Sequence, residues 1–271
     1  MSDASSNISA TPKQSGDSVP SKPARKYYWS PMAAVAWVLV GFTIFPVIAS
    51  VFITFVPHAL GWESVRADTW IMEAPLANFL YVLLSEVLTV GALAWFIAHR
   101  KASFREVMGL RRPVLSDVGY AIAGIVVYFV LFIVALLVAQ QFFSINSDQK
   151  QALGFEQGIS GNGLILAFIS LVILPPIAEE LIFRGFFFGT LRGHKMNLAW
   201  SMFTTSIVFG ALHLFGAADN NLLWIAALDT FVLSLVLCYV REKTGGIWAS
   251  ILVHALKNGF VFLNLFIINV T

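Results

Sequence analysis

Residues 174–186 read LPPIAEELIFRGF: two prolines, two adjacent glutamates and an arginine in a run that is otherwise hydrocarbon. A charge at the middle of a bilayer helix costs roughly 2.5–3.5 kcal/mol on insertion scales, so such groups normally face a protein interior and mark function. The helical period of about 3.6 residues puts Arg184 on the same face as Glu180, one turn on, where the two can pair. Glu179 is turned about 100° away and finds no partner in its own segment. The stretch therefore predicts a structural ion pair, Glu180 with Arg184, beside an available carboxylate, Glu179. Pro175 and Pro176 carry no N–H, so the carbonyls of Leu171 and Val172 lose their helical donors and the helix should kink or open there. Irregular backbone at membrane depth is tolerated where it lines protein or a wet cavity, which predicts a cavity beside Glu179.

The rest of the chain supplies the membrane. Of 271 residues, 58% are hydrophobic and 12% charged, a balance far from that of a soluble globular domain. Crossing hydrocarbon takes about 20 mostly apolar residues in a helix. Seven windows qualify, at approximately 33–56, 74–98, 117–140, 163–190, 197–215, 222–240 and 247–268. The predicted fold is all-α: a polytopic membrane protein, a bundle of about seven transmembrane helices in which the kinked helix carries the EExxxR stretch. Residues 1–26, rich in Ser, Pro and Lys, are too poor in large apolar groups to order themselves and read as a disordered cytoplasmic tail. Residues 27–271 read as a single transmembrane domain with its motif-bearing core at 160–268. The first apolar run starts too far from the N-terminus for a cleaved signal and is expected to stay as an anchor.

Basic residues set the orientation. Lys13, Lys22, Arg25 and Lys26 precede span one; Arg100, Lys101, Arg105, Arg111 and Arg112 follow span two; Arg192 and Lys195 follow span four; Arg241 and Lys243 follow span six. All fall on one side, while the opposite loops hold little but Arg66 and Lys150. The positive-inside rule then places the N-terminus in the cytoplasm and the C-terminus outside the cell membrane. Within this set, Phe104, Val107, Met108 and Leu110 share one side of a short helix ringed by basic residues, as expected of an anchor at the inner headgroup layer. A net charge of +2 is too small to imply a nucleic-acid partner; the bilayer is the partner the composition implies. The single Cys238 excludes an intrachain disulfide and reads as a small lipid- or core-facing side chain.

Of the acidic residues only Glu86, Glu179, Glu180 and Asp229 fall deep in the spans, and of the histidines only His213 and His254. The short turn near His194 and Lys195 serves as a ruler: Glu179 lies about 15 residues before it and His213 about 18 after, a difference in level of only about 5 Å in an antiparallel hairpin. Asn258 lies about 13 residues beyond the turn EKTGG, near the same layer. His254 and Asn258, in HALKN, share a helix face, as do Phe209 and His213 in FGALH. A carboxylate in a poorly solvated pocket becomes a stronger base and can take a proton from water, helped by a histidine. An amide donor beside a scissile carbonyl can stabilise the tetrahedral oxyanion. The set reads as amide hydrolysis with water as nucleophile, requiring no cofactor. A zinc-dependent version on Glu179, His213 and His254 stays open, although HExxH is absent and Asn258 is a poor zinc ligand.

EELIFRG, FGALH and HALKN resemble, in order and separation, the EExxxR, FxxxH and HxxxN motifs of the type II CAAX protease and bacteriocin-processing family of intramembrane endopeptidases, over about residues 160–263. The basic segment ending GLRRP is also similar to that family. The resemblance implies that Glu179 and His213 activate water, that His254 and Asn258 form the oxyanion site, and that Glu180 with Arg184 holds the architecture. It implies a membrane-associated protein or peptide substrate, prenylated at its C-terminus in eukaryotic members. Ser250 stands where relatives often carry proline. Two other readings compete. GISG, residues 158–161, matches the GxSG pattern of rhomboid serine proteases and would make Ser160 a nucleophile. Glu86 and Asp229 would suit a non-catalytic immunity or scaffold protein that binds a peptide in the same cavity.

Overall fold

The computed structural model describes residues 29–143, 153–156, 158–215 and 222–268. The predicted tail, 1–26, lies outside them, as does Lys150. Regular structure among the described residues is entirely helical: α1 (Pro31–Ala59), α2 (Ser64–Glu73), α3 (Pro75–His99), α4 (Phe104–Met108), α5 (Leu115–Phe142), α6 (Asn162–Gly193), α7 (Leu198–Leu212), α8 (Trp224–Thr244) and α9 (Trp248–Ile268).

Helix starts and stops follow local chemistry. Ser30 accepts the Ala33 N–H to open α1, with Pro31 in its first turn, and Asn197 accepts the Trp200 N–H at 2.9 Å to open α7. Ser103 caps α4, and Gly109, at φ 69°, ends it in a left-handed turn. Gly109 is also a close approach: a Cβ there would run into the Arg241 guanidinium. Met108 of α4 is fully buried, and a Cβ on Gly185 of α6 would lie 2.6 Å from its sulfur. The basic segment is thus docked on the charged helix through α4, beyond the headgroup anchoring expected of it.

Six described helices are long and apolar enough to cross a bilayer. The predicted fifth span appears as α7, 15 residues, which at 1.5 Å per residue extends only about 22 Å against a hydrocarbon layer of about 30 Å. The added α2 escaped the hydropathy reading because it is polar along much of its length. In α6 and α8, 44% and 50% of the most apolar window is buried, against 17–22% in the other spans. These two helices form the interior, while α1, α3, α5 and α9 each offer apolar faces suited to lipid.

One core cluster joins Trp29, Leu93, Ile97, Phe183, Phe186 and Phe209 across α1, α3, α6 and α7; a second joins Ile125, Tyr128, Leu233, Leu237 and Val253 across α5, α8 and α9. At one end of the bundle Arg111 Nε donates to the Thr244 carbonyl at 3.0 Å, Arg192 pairs with Glu242 at 2.7 Å, and the His194 ring meets the Trp29 carbonyl at 3.0 Å. These contacts bring the predicted basic loops together at that end.

Helix α6 is not uniform. α-Helical Asn162–Phe168, Leu174–Glu180 and Phe188–Gly193 alternate with π-helical turns at Ile169–Ile173 and Leu181–Phe187. The first widened turn ends at Ile173 (φ −107°, ψ −57°), immediately before the turn holding Pro175 and Pro176. The missing proline donors account for it, as the sequence predicted. Every residue from Leu181 to Leu191 is buried.

Candidate active site

A cavity of about 240 Å³ opens beside the Pro175 turn and is lined by Glu179 of α6, His213 at the end of α7, Asp229 of α8, and His254, Lys257 and Asn258 of α9. Four predicted residues, Glu179, His213, His254 and Asn258, therefore line one space. At its other end the wall is apolar, with Val261, Phe262, Leu265 and Phe266.

Glu180 and Arg184 pair at 2.8 Å, both side chains wholly shielded. The same Glu180 oxygen receives His254 Nδ1 at 3.0 Å. A carboxylate held by a guanidinium accepts, so His254 Nδ1 carries the proton and Nε2 presents its lone pair. That Nε2 lies 3.7 Å from Glu179 Oε2, a buried oxygen with no hydrogen bond from the described residues. His213 Nδ1 likewise meets the Phe209 carbonyl at 2.8 Å, and because a carbonyl only accepts, its Nε2 is also the unprotonated nitrogen. Both imidazoles are thus held as Nδ1 donors, and in the neutral ring each keeps a basic Nε2.

Phe209, fully buried, explains the first letter of its motif. The Arg184 guanidinium lies 4.7 Å from its ring centroid, the His213 ring at 4.7 Å and the His254 ring at 6.0 Å, edge-on. One aromatic side chain supports the buried cation and touches both histidines.

Asn258 Nδ2 donates to the Leu171 carbonyl at 3.0 Å. This is one of the two carbonyls left without a helical donor by the prolines, so Asn258 repairs the widened backbone and keeps one amide hydrogen for other use.

Two residues were missed by the sequence reading. Lys257 Nζ pairs with Asp229 Oδ2 at 2.6 Å, and the Tyr128 hydroxyl donates to Asp229 Oδ1. A charged Lys257 between His254 and Asn258 was a visible signal; Tyr128, on the largely lipid-exposed α5, gave none. Glu86 does not line the cavity, and Ser160 is exposed just before α6, roughly 28 Å along the helix axis from Glu179. Cys238 is a buried core thiol. Among the described residues no three His, Cys, Asp or Glu side chains are grouped closely enough to hold a metal ion.

Comparison with known proteins places this arrangement. Residues 161–260 match the family described as type II CAAX prenyl endopeptidase Rce1-like. That stretch is similar to an Rce1-like domain. It contains every cavity-lining charge and imidazole named above, from Glu179 to Asn258. The chain is 33% identical over 141 residues to "Uncharacterized protein YyaK" of Bacillus subtilis, covering 51% of this chain and 45% of that one. It is 33% identical over 91 residues to "Putative membrane peptidase YdiL" of the same organism, covering 34% of each, and 32% identical over 92 residues to an "Uncharacterized 24.3 kDa protein" of Escherichia coli, covering 34% and 40%. The matches thus take in about a third to a half of these relatives. No solved structure matches. The six apolar helices make this a multi-pass membrane protein, and the family match makes residues 161–260 similar to a membrane protease domain.

Proposed function

We propose that the chain is an intramembrane endopeptidase that hydrolyses a peptide bond of a membrane-associated protein or peptide. The observation that carries the reading is the convergence of Glu179, His213, His254 and Asn258, from three helices of the family-matched stretch, on one cavity beside a broken helix. Glu179 takes a proton from water while the remaining O–H donates a hydrogen bond to His213 Nε2, which orients the attack. The oxygen adds to the scissile carbonyl, and Glu179 returns its proton to the leaving amine as the C–N bond breaks. Glu180, between Arg184 and His254, holds the second imidazole in one tautomer. The apolar end of the cavity suits a hydrophobic substrate segment, a prenyl group being one such occupant. The basic end of the bundle faces the cytoplasm, with the N-terminus inside and the C-terminus outside.

The test compares peptide termini by quantitative mass spectrometry in membranes of cells lacking the native gene, expressing either the wild type or an equally abundant Glu179→Gln variant. New termini are expected with the wild type alone, since loss of a general base lowers rates by about 10²–10⁴-fold. Identical termini in the two samples, with a phenotype lost in the variant, would instead make Glu179 a binding or assembly residue.

A further inference from the structure

The cavity presents bases in abundance and few donors, and this imbalance identifies another participant. In the neutral imidazoles Nε2 of His213 and of His254 face the site as lone pairs, because each Nδ1–H is engaged, by the Phe209 carbonyl at 2.8 Å and by Glu180 at 3.0 Å. The Thr230 hydroxyl donates to the Ala226 carbonyl at 2.7 Å. Asn258 has committed one amide hydrogen to Leu171. Asn258 can therefore offer an oxyanion a single amide hydrogen. Lys257 carries three ammonium hydrogens, of which Asp229 takes one at 2.6 Å. It follows His254 by three residues on one face of α9, and with Asn258, about 100° further round the helix, all three line the cavity.

We propose that Lys257 is a further oxyanion donor of this site, beside Asn258, and that Asp229 and Tyr128 are the positioning residues that aim it. The proposal rests on the hydrolytic reading given above. When the water oxygen adds to the carbonyl carbon, the carbonyl π pair moves onto oxygen. Lys257 N–H groups meet that charge without transferring a proton, while the water proton resides on Glu179. Collapse restores the carbonyl, and the C–N bond pair leaves with the proton from Glu179. Tyr128, buried and donating to the second Asp229 oxygen, fixes the carboxylate so that two ammonium hydrogens stay directed into the cavity. Lys257 and Asp229 side chains are 14% and 16% exposed, the exposure expected of an ion pair on a cavity wall and not of one sealed in the core.

The experiment uses the full chain in lipid nanodiscs and an internally quenched peptide carrying a cut site identified by the termini comparison. Single replacement of Lys257 leaves Asp229 without its cation, so the charge-neutral double variant Asp229→Asn with Lys257→Met is measured beside Lys257→Met and Lys257→Arg. Expected are a kcat lowered about 10²–10³-fold in both methionine variants with KM within about threefold, and partial recovery in Lys257→Arg. Tyr128→Phe is expected to lower kcat by a smaller factor, again with KM unchanged. A folded double variant with wild-type kcat, or one altered only in KM, overturns the assignment. Loss of turnover in Glu179→Gln with full turnover in the double variant sinks this proposal alone; wild-type turnover in Glu179→Gln sinks the reading beneath it.

Discussion

Two of the carboxylate–cation pairs among the described residues, Glu180 with Arg184 and Asp229 with Lys257, lie beside the cavity, and they differ in how they are held. Glu180 and Arg184 sit four residues apart on one helix, 0% exposed, with Phe209 beneath the guanidinium. Asp229 and Lys257 come from two helices, reach the cavity wall and are bound to a third helix through Tyr128. The first pair can do no more than hold its neighbours, above all His254. The second can exchange a partner with whatever enters the cavity. Burial, more than charge, separates an architectural pair from one free to meet substrate.

The largest expected effect breaks the sealed pair. Arg184→Ala leaves Glu180 uncompensated in the core and should cost about 3–5 kcal/mol, read as a fall in thermal midpoint in nanodiscs together with loss of turnover. Asp229→Asn, at the cavity wall, should cost less, about 1–3 kcal/mol, because the ammonium it strands can be reached by water. Equal losses in these two variants would show that exposure does not separate the pairs. Smallest is Tyr128→Phe, about 0.5–1.5 kcal/mol for one removed hydrogen bond, measured in the same melting series.

The same contrast marks what the sequence could tell. Glu180 with Arg184, and His254 with Asn258, are legible because each pair lies one helical turn apart. Glu179 and His213 could be levelled by counting residues from the shared turn. Asp229 and Lys257 come from separate helices joined by a turn, and Tyr128 is 101 residues from its partner, distances over which periodicity carries no information. Span positions followed from apolar length alone, yet the shortness of α7 did not: its flanking residues extend the apolar window past the last helical residue, Leu212. Tautomers were also out of reach, since they depend on which acceptor each Nδ1 meets.

The bond from Asn258 to Leu171 joins the fates of two sites in the chain. Proline at 175 creates an unpaired carbonyl in the bilayer, and asparagine at 258, on another helix, answers it. A lineage that regained an N–H at 175 would relieve Asn258 of its duty to the backbone, whereas one that lost Asn258 while keeping Pro175 would strand a polar group in hydrocarbon. The order in which such changes can accumulate is therefore constrained: the proline position is the permissive one, and drift at 258 has to wait for it.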